Sequence, residues 1–208
     1  MSDLQIALDY GSVFVFALSG ALVASRGQLD LVGFMFFAVL TAVGGGTVRD
    51  LLLGREEIFW VARPSLILVA TVAAVIVFLT AHRLESRYRA LLWFDALALS
   101  IAVPSGVDYA IDAGFGPVIV AMAGVITGSL GGLMRDVISN EVPLVLKQGE
   151  LYLTAAFAGA VAALALHGLG LSASWAMLGC ALTTFAMRAG SMVWGWKLPV
   201  YKPRPPRV

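Results

Sequence analysis

Gly44-Gly45-Gly46-Thr47-Val48-Arg49-Asp50 is the stretch on which the fold turns. Three successive glycines weaken a helix, because each gives up extra backbone entropy and packs no side chain. Yet this triplet sits within an apolar run that begins at Leu31, and an Arg-Asp pair follows at once. The chain repeats the device at Gly131-Gly132-Leu133-Met134-Arg135-Asp136. A helix breaker followed by a charge pair, used twice in apolar surroundings, points to a permeation pathway through a membrane.

Composition sets the class. Of 208 residues, 60% are hydrophobic and 13% are charged, and mean hydropathy is +0.89. Soluble domains carry about 25% charged residues, so this chain cannot cover itself with polar groups. The apolar runs are long and continuous rather than short and alternating, which excludes a β-barrel and gives an all-α polytopic membrane protein. The bases lie in loops and tail instead of on one face, so no nucleic-acid partner is expected. The single cysteine, Cys180, lies inside an apolar run and reads as a small buried hydrophobe. The first residues lack the basic flank of a cleaved signal peptide, so the first run is read as a true span.

Crossing the hydrocarbon takes about 20 apolar residues. Seven spans are expected, at 4–24, 31–53, 65–81, 91–109, 115–138, 151–166 and 174–194. The 197–208 segment is a basic, Pro-rich tail suited to contact with membrane lipid head groups. Arg26, Arg83, Arg87, Arg89, Lys147, Lys197, Lys202, Arg204 and Arg207 fall on one side, and only Arg55 and Arg63 on the other. The positive-inside rule then puts the N-terminus outside and the C-terminus in the cytoplasm of a multi-pass inner (cell) membrane protein.

Shifting the chain by 86 residues, from 9 to 95, superposes its rare polar positions without a gap. Asp9 falls on Asp95, Ser19-Gly20 on Ser105-Gly106, Thr41 on Thr127, Gly45-Gly46 on Gly131-Gly132, and Arg49-Asp50 on Arg135-Asp136. Polar coincidences are rare in such runs, so the chain reads as a duplication: 1–90 and 91–170 as three-helix repeats, 171–196 as a seventh helix, then the tail. Three spans is an odd number, which inverts the second repeat in the bilayer. Ala38, Ala42 and Gly46 match Gly124, Gly128 and Gly132. This small-xxx-small pattern suits close packing of spans two and five against each other.

These positions supply the candidate site. Gly44, Gly45, Gly46, Gly131 and Gly132 are expected to kink their helices and free backbone oxygens to a wet path. Arg49, Asp50, Arg135 and Asp136 are expected near helix ends, as gate charges at two mouths. Asp9 and Asp95 are candidate cation attractors, and Ser19, Thr41, Ser105, Thr127 and Ser129 candidate lining hydroxyls, which replace part of an ion's hydration shell. His82 and His167 sit at span ends and form no metal site. No Gly-x-Ser-x-Gly, Walker or His-Glu-x-x-His motif occurs, so no enzyme is expected and no cofactor beyond permeating K+ or Na+.

The doubled Gly-Gly-x-x-Arg-Asp pattern within seven spans resembles the prokaryotic branch of the trimeric intracellular cation channel family, also grouped under a duplicated "glycine transporter" domain. The resemblance implies a homotrimer with one hourglass pore per protomer, kinked second and fifth helices lining it, and potassium-selective conduction. Animal members carry basic residues on the fourth helix linked to lipid binding; here 91–109 has no Lys or Arg. The rival reading is a secondary transporter of glycine or another small amino acid, using half-helix N-termini after the glycines to hold a carboxylate.

Overall fold

The computed structural model describes residues 2–84 and 86–199. Most of the tail, with Lys202, Arg204 and Arg207, lies outside the described residues. The chain is all-α: α1 (Asp3–Arg26), α2 (Leu31–Leu52), a short α3 (Phe59–Ala62), α4 (Ser65–Thr80), α5 (Arg87–Asp112), α6 (Pro117–Ile138), α7 (Leu153–Gly168) and α8 (Ala173–Trp194). Among the described residues, six helical segments are long and apolar enough to span a membrane; the fourth of the expected spans qualifies as Arg87–Asp112, so its first turn carries Arg87 and Arg89. The basic residues found missing from 91–109 are therefore present one turn earlier. The 16 residues of α7 rise about 24 Å, short of the roughly 30 Å hydrocarbon core.

Local chemistry sets the helix ends. Ser2 and Gln5 form a capping box on α1, each side chain accepting the other's backbone N–H. Asp30 accepts the Gly33 N–H at the start of α2, and Ser86 accepts the Arg89 N–H at the start of α5. Pro117 begins α6, where its missing N–H costs nothing. Gly195 closes α8 with φ at 68°, a left-handed conformation open to glycine.

Successive spans run in opposite directions. The Gln5 amide donates to Asp112, and Tyr10 and Ser65 share a hydrogen bond, which brings the start of α1, the end of α5 and the start of α4 to one face, called here the first face. At the second face Arg26 pairs with Glu141, and Arg87 donates to the Ser25 carbonyl. α4 buries Ala70, Ala73 and Ala74 and exposes Leu68, Val72, Ile76 and Leu79. The repeat mates of the first and third alanines, Ala156 and Ala160 on α7, are also fully buried. Small residues inward and large apolar residues outward is the pattern of a bundle whose solvent is lipid.

The centre is built from α1, α2, α5 and α6. A Cβ on Gly45 would overlap the Thr127 carbonyl oxygen, and a Cβ on Gly131 the Thr41 carbonyl oxygen. Each of these contacts is the other's image under the 86-residue offset, so α2 and α6 cross backbone to backbone. Gly20 likewise presses on the Phe37 carbonyl and Thr41, and Gly106 on the Ala123 carbonyl and Thr127. The expected break at the glycines is not there. α2 and α6 are each one helix through Gly44, Gly45, Gly46, Gly131 and Gly132, so their carbonyls stay in the helical ladder. The missing side chains serve the crossing instead, and contact between the helices offsets the helix-propensity cost. The small-residue stripe also differs from expectation: Gly124 and Gly128 face Val103, Val107 and Leu99 of α5, while Gly46 faces the Phe59 ring.

Candidate ion pathway: two buried charge networks

The candidate polar residues gather into two networks, one toward each face. In the first, the Arg49 Nε donates to Asp50 Oδ1 at 2.8 Å, and Arg49 Nη1 donates to the Ser105 hydroxyl at 3.1 Å. Ser105 in turn donates to Asp9 Oδ1 at 3.0 Å. Arg49 Nη1 stands 3.9 Å from that same carboxylate oxygen. In the second, Arg135 Nε donates to Asp136 Oδ1 at 2.7 Å, and Arg135 Nη1 donates to both Ser19 and Asp95 Oδ1 at 2.9 Å. Each network thus joins an aspartate from the first helix of one repeat, an Arg-Asp pair from the second helix, and a serine from the first helix of one repeat or the other.

Helix periodicity sets this up. Arg49 and Arg135 lie one turn beyond Gly45 and Gly131, so the crossing that brings the glycines together aims both guanidinium groups into the bundle. Arg49, Asp50, Arg135 and Asp136 are at most 3% exposed. Late in their helices as expected, all four are nonetheless covered by neighbouring helices rather than reaching the bundle surface. The free oxygen of each second aspartate is used locally. Asp50 Oδ2 accepts the Phe59 N–H at 2.7 Å, and Asp136 Oδ2 accepts the Leu144 N–H at 2.8 Å. Each aspartate thereby ties down the loop after its helix.

The α2–α4 link carries residues that sequence reading passed over. Arg63 Nη2 donates to Asp9 Oδ2 at 2.5 Å, and the Tyr109 hydroxyl donates to the same oxygen at 2.7 Å. Burial pulls the Arg63 pKa down, but its hydrogen bond to Asp9, the Asp9 charge and Tyr109 raise it by more, so it stays cationic. The Arg49 guanidinium lies 3.9 Å from the Tyr109 ring centroid and 5.2 Å from that of Phe59, a cation–π setting for its unpartnered Nη2. Trp60 Nε1 donates to the Thr47 hydroxyl at 2.9 Å. Trp60→Phe removes that bond and is expected to cost about 0.6 kcal/mol, typical inside membranes; a small drop in detergent Tm checks it.

Arg188 was also missed as a site residue. It is fully buried on α8, donates to Glu150 at 2.8 Å and stands 5.0 Å from the Tyr152 ring centroid. A charge in mid-span was the signal. Its lack of a repeat mate hid it, because α8 lies outside the 86-residue offset.

The hydroxyls divide. Ser19 and Ser105 belong to the networks. Thr41, Thr127 and Ser129 each donate at 2.6 Å to the carbonyl four residues back, those of Phe37, Ala123 and Val125. Between Asp9, Arg49, Ser105 and Thr127 lies a cavity of about 10 Å³, room for about one water. A separate open pocket of about 200 Å³ lies at the first face, bordered by Gln5, Tyr109 and Asp112. His82 and His167 are exposed at helix ends, and among the described residues no three His, Cys, Asp or Glu side chains cluster to hold a metal. Cys180 is buried and free.

Known proteins share this architecture. The sequence model of the family described as "Glycine transporter" matches twice, at residues 6–82 and 92–168. Its two matches are displaced by the same 86 residues, from 6 to 92. The chain is 36% identical to the inner membrane protein YadS of Escherichia coli (strain K12), over 93% of this chain and 94% of that one. Among solved structures, the TRIC trimeric intracellular cation channel orthologue from Rhodobacter sphaeroides is 42% identical, with a TM-score of 0.90 over 93% of this chain and 100% of that one. A second TRIC cation channel is 30% identical, with a TM-score of 0.84 over 96% of this chain and 98% of that one.

Proposed function

Because the chain belongs to the trimeric intracellular cation channel family, built on a doubled glycine-transporter-type domain, we propose that it conducts monovalent cations, potassium among them, along a path between α1, α2, α5 and α6 of each protomer. The observation that carries this reading is the pair of buried networks, Asp9–Arg49–Asp50–Ser105 and Asp95–Arg135–Asp136–Ser19, set toward opposite faces. Taking such charges out of water costs several kcal/mol per ion before pairing repays it. Packing alone would be served by apolar residues, so charges kept at this depth belong to a transport path. Its solved relatives are ion channels, not enzymes.

In this reading each arginine is a gate charge. It neutralises Asp9 or Asp95 while the path is shut, and the roughly 10 Å³ cavity beside Arg49 is too small for a hydrated cation. Opening requires the arginine to trade one carboxylate for another while the helices shift about the Gly45–Gly131 crossing. Ser19, Ser105 and the Thr41 and Thr127 oxygens then line the route. The assembly is a homotrimer in the inner membrane with its C-terminus in the cytoplasm. The solved relative is named a trimeric channel, YadS is an inner membrane protein, and the basic loops favour that orientation.

The transporter reading loses its physical basis, since α2 and α6 are unbroken and offer no half-helix N-termini to hold a carboxylate. Purified protein in a planar bilayer with symmetric KCl is expected to give unitary cation currents. Silent bilayers with saturable, ion-coupled glycine uptake into proteoliposomes would reverse the choice.

A further inference from the structure

Asp9 and Asp95 are mates under the 86-residue offset, yet their surroundings differ. Both Asp9 oxygens are occupied. Oδ1 accepts Ser105, and Oδ2 accepts Arg63 and Tyr109. Asp95 is fully buried; its Oδ1 accepts Arg135, and its Oδ2 accepts no hydrogen bond. The Tyr152 hydroxyl lies beside the Asp95 carboxylate and acts on it as a hydrogen-bonding neighbour, without the geometry that would occupy Oδ2.

The offset says why. The mate of Arg63 is Gly149, and the mate of Tyr109 is Val23. Neither has a side chain able to donate, so the offset supplies no counterpart to either group, and the hydroxyl that stands by Asp95 is instead that of Tyr152, just before α7.

Charge follows the same asymmetry. In the first network Asp9 and Asp50 face Arg49 and Arg63, with Arg55 a further 3.9 Å from Asp50. That network is neutral or positive. In the second, Asp95 and Asp136 share the single Arg135, which leaves one negative charge in excess. Arg188, the other nearby cation, is matched by Glu150. A buried carboxylate oxygen without a donor, in a cluster with surplus negative charge, is the environment that attracts a small cation.

Resting on the channel reading, we propose that the path is electrostatically one-sided. Asp95 is its monovalent cation site, with Oδ2 as the coordinating oxygen, and Arg63 is the residue that denies Asp9 the same role. A cation arriving from the second face is concentrated at Asp95, whereas one arriving from the first face meets a carboxylate already neutralised. The protein therefore passes more cation current from the second face toward the first than the reverse. Arg63 sets this directionality as a positioning residue, acting through the Asp9 carboxylate.

Two measurements on the full chain test this. In planar bilayers with symmetric KCl, the wild type is expected to rectify. Arg63→Gln, which keeps a hydrogen-bond donor but removes the charge, is expected to raise the smaller current by about fivefold or more and straighten the current–voltage curve. In detergent at constant ionic strength, replacing N-methylglucamine chloride by KCl is expected to raise the Tm of the wild type and of Arg63→Gln, but not of Asp95→Asn. The Tm readout needs no conduction and reports on the folded protein directly. Silent wild-type bilayers would overturn the channel reading. A conducting wild type with a linear curve that Arg63→Gln leaves unaltered, or a potassium-dependent Tm that survives in Asp95→Asn, would overturn the one-sided path alone.

Discussion

Gly131→Ala is expected to destabilise the protein by about 3 kcal/mol, the upper end of overpacking costs. The reason is the identity of the obstacle. A Cβ at this position would overlap the Thr41 carbonyl oxygen, which is backbone and cannot rotate away as a side chain can. Accommodating it means separating α2 from α6 at the centre of the bundle. Gly45→Ala meets the Thr127 carbonyl in the same way and should cost a similar amount. The two act at one crossing, so the double variant should fall short of the sum. Gly168→Ala, where a Cβ meets nothing within 4 Å, is the control. It should stabilise by a few tenths to about 1 kcal/mol through helix propensity. Unfolding by SDS titration or heating in detergent measures all four. If the glycines served only to weaken a helix, alanine would be the better helix former and Gly131→Ala would unfold later than wild type, which would sink the packing account.

The second large effect is expected from Arg135→Leu, at about 3–5 kcal/mol, the usual cost of breaking a buried ion pair from one side. Arg135 is fully buried and serves Asp136 through Nε, and Asp95 and Ser19 through Nη1. Leucine strands two carboxylates in a desolvated site. Arg135→Lys should recover only part of the loss, since one ammonium cannot reproduce a fork aimed at two acceptors. Arg49→Leu should cost less than Arg135→Leu, because Asp9 keeps Arg63 and Tyr109 as partners. Equal losses at Arg49 and Arg135 in the same unfolding assay would contradict the asymmetry between the networks. A wild-type midpoint for Arg135→Leu would mean that the pair contributes nothing to the fold.

Much of this arrangement is legible in the sequence because membrane depth makes polar residues scarce. Asp9, Arg49, Asp50 and Ser105, with their mates at 95, 135, 136 and 19, stand out against apolar runs and repeat at one offset. Span positions follow equally directly, since the length needed to cross hydrocarbon is fixed by helix rise. Even the bounds of α2 and α8 fall within one residue of those read from hydropathy.

The glycines were legible as special but not in their role. Sequence reports that Gly45 and Gly131 lack a Cβ; it does not report what stands opposite. A broken helix and a backbone crossing ask for the same residue, and only the position of the Thr127 and Thr41 carbonyls separates them. Arg63 and Tyr109 escaped for a related reason. One was assigned to a loop and the other to the end of a span, and neither repeats under the offset, because their mates are Gly149 and Val23. A search for symmetry finds what the two halves share and passes over what distinguishes them.

By itself, then, the sequence determined the class, the positions of seven apolar helices, the duplication and most of the buried charges, since each depends on the price of placing a polar group in lipid. Tertiary structure decided the partners: Arg49 with Ser105, Arg135 with Ser19 and Asp95, Arg63 with Asp9. In a helix surrounded by apolar protein on one side and apolar lipid on the other, no strong polar stripe marks the inward face. Rotation about each helix axis is then fixed by close packing at glycines and alanines, and that packing is a property of helices assembled together.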